Sequence, residues 1–152
     1  MTENKLHKLY KLIAYFLIAV SLIFILTPID NLLVQDKFGI VLIMNIGFHM
    51  FYHLISIVPL KQLNWVKDNS TVQNIAFKGI MVMSYFIPIA CILASVIIIT
   101  ESFSNQEYYK LTVLLVLSGV ILGALKLNLK LKSWRKNTLQ QRTEVKNKQI
   151  LL

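Results

Sequence analysis

Apolar residues in this chain gather into four blocks separated by short polar links. The blocks cover residues 9–27, 38–60, 77–100 and 109–127. Each is close to the roughly 20 apolar residues that cross a ~30 Å hydrocarbon layer as a helix rising 1.5 Å per residue. The pattern predicts an all-α integral membrane protein, an antiparallel bundle of four transmembrane helices. Links of about ten residues should make neighbours of spans one and two, and of spans three and four. Several boundaries carry their own chemistry. Thr27-Pro28-Ile29-Asp30 closes the first block, and Ile29–Gln35 suits a short interfacial turn of helix. Pro59-Leu60-Lys61 closes the second. Ser70-x-x-Gln73 and Ser104-x-x-Glu107 read as capping boxes that open the third and fourth helices.

The second block, FGIVLIMNIGFHMFYHLISIVPL, carries the only histidines at mid-membrane depth and is expected to set how the bundle closes. Asn45, His49, Tyr52, His53 and Ser56 fall on one side of a helix and form a polar stripe. Ionisable groups inside a membrane are functional candidates, so the stripe is a candidate proton or ligand path. As a structural stripe, its imidazoles would hydrogen-bond across the bundle to Ser84, Tyr85, Ser95 or a carbonyl freed by Pro88. Two histidines one turn apart can chelate one metal, but a site needs three or four ligands. Acids are lacking at that depth, and Cys91 with the methionines would add only soft donors suited to Cu(I). No metal site and no cofactor is expected.

The third and fourth blocks hold packing signals. Ser84, Pro88, Cys91 and Ser95 share a small, mildly polar face, with Pro88 as a kink or hinge. Gly119 and Gly123 form a GxxxG pattern that lets helices approach closely, inside one bundle rather than between copies. Beyond the fourth block, Leu127, Leu131 and Trp134 keep helical spacing among Lys126, Lys130, Lys132, Arg135 and Lys136. This predicts a basic amphipathic extension lying on lipid headgroups. Residues 1–136 then form the membrane domain and 137–152 a polar tail without regular order.

Charge settles direction. The flanks and links carry three, one, three, one and eight Lys plus Arg in chain order, which places both termini and the middle link in the cytoplasm. Lys5, Lys8 and Lys11 ahead of Leu12–Leu26 imitate a signal peptide. The run ends without a small-x-small cleavage site, so an uncleaved first span is expected. The +9 formal charge flanks apolar blocks, which favours anionic lipid headgroups over nucleic acid as the partner. Lysine-rich, Ile- and Asn-rich composition fits an AT-rich bacterial genome and a multi-pass protein of the inner membrane. A single cysteine leaves no internal disulfide and no CxxC pair of the vitamin K epoxide reductase-like kind. The first block lacks the embedded glutamate of the small multidrug-resistance exporters.

These features favour a non-enzymatic accessory, regulatory or immunity-type protein that acts through helix–helix contacts with a membrane-protein partner or another copy. The alternatives are a small oligomeric transporter or channel using Asn45–His49–His53, and a membrane enzyme or metal protein using the histidine pair.

Overall fold

A computed structural model of the chain describes residues 2–28, 33–66, 70–100 and 108–150. Its elements are α1 (Glu3–Leu26), α2 (Val34–Trp65), α3 (Ser70–Thr100) and α4 (Tyr108–Ile150). All four hold a stretch long and apolar enough to cross a membrane, and they pack together. The Ser104–Glu107 capping box, most of the interfacial turn and the terminal Leu151-Leu152 lie outside the described residues.

The helices outrun the hydropathy blocks, and burial explains where. α1 starts at Glu3 rather than near residue 9, because Leu6 is fully buried against α2 and α4. It stops at Thr27, whose N–H and hydroxyl both donate to the Ile23 carbonyl before Pro28 disfavours another helical turn. α2 continues through Pro59 to Trp65. Proline removes one backbone donor, but the turn beyond it buries Leu63 completely against Phe77, Leu127 and Leu131. The Leu63 carbonyl, orphaned at the end of α2, accepts a hydrogen bond from Gln73 Nε2 at 3.4 Å. Gln73 thus reaches across to α2. α4 passes Asn137 and runs to Ile150, through a Lys-, Gln-, Arg- and Glu-rich stretch with neither glycine nor proline to stop it.

α4, not α2, organises the bundle. It packs along α2 most extensively and along α3 next; α1 lies lightly on α2 and α4, and α2 barely touches α3. The cause is Gly119 and Gly123. A Cβ built on Gly119 would lie 2.6 Å from the Phe48 carbonyl oxygen, and one on Gly123 would lie 2.7 Å from that of Phe51. Backbone meets backbone there, which no side chain would permit. One core cluster, with Leu17, Met44, Phe48, Tyr52 and Leu122, fills the junction of α1, α2 and α4. A second, with Leu63, Phe77, Leu127 and Leu131, joins the far ends of α2, α3 and α4.

That second cluster corrects the reading of the basic extension. Leu127 and Leu131 are buried in protein, and Trp134 stacks on Phe77 with ring centroids 5.7 Å apart while its Nε1 donates to Asn64 Oδ1 at 3.2 Å. The apolar face that looked like a lipid anchor instead holds the ends of α2 and α3 together. Those helices of 32 and 31 residues span about 48 and 46 Å, longer than the ~30 Å needed to cross a hydrocarbon layer, and so supply a surface for it.

Candidate functional site

Three helices bring polar side chains together on one flank of the α2–α4 seam. α1 contributes Tyr10, two turns in from its start. α2 contributes His49, Tyr52 and His53, and α4 contributes Lys126. The Tyr10 ring stacks on Tyr52 at 3.8 Å and 9°. Its hydroxyl is hydrogen-bonded with His49 Nδ1 at 2.7 Å, either group donating according to the imidazole tautomer, and lies 3.5 Å from His53 Nε2. Lys126 Nζ sits 4.2 Å from the centre of the Tyr52 ring. Tyr10 already covers one face of that ring, so the ammonium occupies the other, where the π cloud attracts it.

The residues of the stripe are divided in what they meet. Asn45 Nδ2 donates to Ser21 Oγ at 3.0 Å and to the Val41 carbonyl at 2.9 Å. His49 meets Tyr10. Tyr52 and Ser56 are buried, the Ser56 hydroxyl donating to the His53 carbonyl at 3.0 Å. His53 stands at the exposed edge of the tyrosine stack. The expected partners on α3 are not used: Ser84 accepts from Asn128 Nδ2 at 3.2 Å and donates to the Met81 carbonyl, and Ser95 donates to the Cys91 carbonyl. The reason is position, since α4 stands between the stripe's helix and most of α3.

No protein-family model, curated protein or solved structure matches the chain. Its chemistry must be read from its own geometry.

Among the described residues no three His, Cys, Asp or Glu side chains converge as a metal site would need. Pro88 is buried inside an uninterrupted α3, next to Ser84 on the face toward α4. The basic residues of α4 separate into two sets. Lys132, Arg135 and Lys136 are exposed, with Arg135 5.6 Å over the Phe77 ring; Lys126 and Lys130 are half-buried on the side of His53.

Sequence reasoning passed over four of these participants: Tyr10, Ser21, Lys37 and Asn128. On α1 the signal was present, because Tyr10, Ala14, Leu17 and Ser21 recur at spacings of 4, 3 and 4 and form its inward face. Lys37 counted only as a flanking charge. It is 4% exposed, and its Nζ donates to the Thr27 carbonyl at 2.7 Å, closing the C-terminal end of α1. Asn128 lies one residue past the fourth hydropathy block.

On the opposite flank of α2, a cavity of about 770 Å³ opens between α2 and α3. Phe51, Ile55 and Val58 form one wall, Ala76, Gly79 and Met83 the other, and Leu127 the floor. A Cβ on Gly79 would meet nothing within 4 Å.

Proposed function

We propose that this chain is a multi-pass inner-membrane protein of four antiparallel spans with both termini cytoplasmic, a non-enzymatic accessory or regulatory protein that acts by helix–helix contact. The α2–α3 groove carries the reading. Its walls are apolar, and Ala76 and Gly79 are the small residues that let helices approach closely in lipid, where packing rather than water exclusion drives association. A Cβ on Gly79 would have open space, whereas Gly119 and Gly123 are packed against the α2 backbone inside the bundle. An apolar transmembrane helix of a partner protein is the occupant that fits such a surface.

The order of contacts supports the antiparallel arrangement. Along α1, Tyr10, Ser21 and Thr27 meet His49, Asn45 and Lys37 of α2 in descending order. Along α3, Phe77 and Ser84 meet Trp134 and Asn128 of α4, also descending. Reporter fusions after Trp65 and after Gln140 should both report cytoplasm; an external signal at either position would overturn the topology.

The function is tested by filling the groove. Gly79→Leu should abolish whatever phenotype deletion produces while leaving membrane abundance and stability intact, and His49→Gln should leave that phenotype unchanged. The reverse pattern would transfer the function to the polar cluster. The contact of the Tyr10 hydroxyl with both imidazoles is the one observation that speaks for a proton or ligand path. In that case vesicles holding the purified protein would show a flux that His49→Gln removes.

A further inference from the structure

We propose that the column of His7, Tyr10, Tyr52 and Lys126, with His53 and Lys130 beside it, is a binding site for the headgroup of an anionic phospholipid. The column is built rather than scattered. His7 stacks on Tyr10 at 6.1 Å, Tyr10 on Tyr52 at 3.8 Å, and Lys126 closes the far face of Tyr52 at 4.2 Å. His53 stands edge-on to both tyrosines, with ring centroids 5.9 and 5.0 Å away. The cationic or basic groups that act on His53 are Lys126, His49, Lys130 and His7, drawn from all three helices of the junction. Glu3 is the carboxylate that acts on Lys126.

Lys126 and Lys130 are like charges held half-buried on one helix, and Glu3 is a single carboxylate against the two. Phosphodiester oxygens would supply the missing charge and accept hydrogen bonds from the ammonium and imidazole N–H groups. The source of phosphate follows from depth. The cluster lies near the start of α1 and in the last membrane-length turns of α4, so on the proposed topology Tyr10 draws His49 and His53 from the mid-membrane depth expected of them toward the cytoplasmic headgroup layer. Basic pockets between transmembrane helices on that side bind anionic headgroups. The site rests on the membrane reading but not on the groove.

The test uses the full-length protein in nanodiscs of phosphatidylcholine containing a small fraction of fluorescent phosphatidylglycerol, with enrichment of the label at the protein as readout. Alkaline extraction of the membranes separately checks insertion, so a failure of the membrane reading would show there first. Wild type should enrich the anionic lipid. Lys126→Gln and Lys130→Gln should each lower the enrichment about five-fold, the equivalent of one basic residue at an anionic surface. The pair Lys132→Gln and Lys136→Gln, on the exposed set of the same helix, should leave it nearly unchanged. Equal losses from both pairs would reduce the effect to a diffuse basic surface and overturn the site. Absence of enrichment in wild type would do the same. Displacement of the lipid by millimolar inorganic phosphate would show a site for free phosphate and overturn the assignment to lipid.

Discussion

Replacing Gly119 by alanine adds one methyl group where there is no room for it. The new Cβ would stand 2.6 Å from the Phe48 carbonyl oxygen, 2.9 Å from its Cα and 3.1 Å from its carbonyl carbon. Ordinary contact begins near 3.4 Å, so the closest approach is short by about 0.8 Å. These are backbone atoms of α2 and cannot rotate away; the helices must separate. A gap of 0.5–1 Å forfeits about a quarter to a half of each dispersion contact across the seam. In lipid, packing of this kind is what holds helices together. A cost of about 1–3 kcal/mol follows, the usual range for overpacking. Gly123→Ala meets the Phe51 oxygen at 2.7 Å and should behave alike. Gly47→Ala meets only Val116 Cγ2 closely, a side chain that can turn, so it should cost less. Gly39→Ala and Gly79→Ala meet nothing within 4 Å and serve as controls; they should stabilise the helix by about 0.4–1 kcal/mol. Equilibrium unfolding of the purified variants in mixed micelles would separate the two sets by at least about 1.4 kcal/mol, a factor of ten in the equilibrium constant. If Gly119→Ala unfolds with the Gly39→Ala control, the backbone contact does not organise the bundle.

Tyr10→Phe keeps the ring stack on Tyr52 and removes the hydroxyl that meets His49, so it should cost about 0.6 kcal/mol and no more than roughly 1.7 in the same titration. Tyr10→Ala also loses the stack and should cost a further 0.5–1.5 kcal/mol or so; equal losses from both variants would show that the stack contributes nothing. Lys37→Met removes the donor to the Thr27 carbonyl and should cost about 0.5–1.5 kcal/mol, seen also as faster amide exchange in the last turn of α1. Unchanged exchange there would mean that water replaces the ammonium without loss.

Periodicity and hydropathy made the four helices legible, because a block of apolar residues without breakers has few alternatives in lipid. They placed the ends of α1 and α3 and the start of α4 to within a residue, and missed the start of α1, both ends of α2, the start of α3 and the end of α4. Hydropathy marks the apolar blocks, whereas α2 continues past its block to bury Leu63 against Phe77 and Leu131. The same limit misdirected the reading of Trp134: its amphipathic spacing says that one face seeks cover, and lipid and a neighbouring helix both provide it. At the polar stripe the face was readable from Asn45, His49 and His53, but the partner was not. A single helix reports which side is polar, and only the depth at which neighbours pack decides whose side chain arrives. Gly119 and Gly123 held that information, since they bring α4 against Phe48 and Tyr52, displace α3 from the stripe and leave its other flank to α1.

The distribution of polar contacts then has a physical purpose beyond stability. Apolar helix surfaces in lipid discriminate poorly between registers, because each slip exchanges one hydrocarbon contact for another. α1 is the helix most exposed to this problem, lying lightly on its neighbours with Leu12, Phe16 and Ile23 turned outward. Against α2 it carries polar contacts near both ends and between: Tyr10 with His49, Ser21 with Asn45, and the Thr27 carbonyl with Lys37. A slip of one turn, 5.4 Å, would break all three together and strand polar groups at different depths. At about 0.6 kcal/mol each, the two side-chain pairs favour the observed register by about 1.2 kcal/mol, and the lysine bond adds roughly 0.5–1.5. The total is small against the stability of a domain but decisive between two registers that are otherwise nearly equal. The same logic places Asn128 against Ser84 and Trp134 against Asn64, so α4 is held in register on the two helices that it joins.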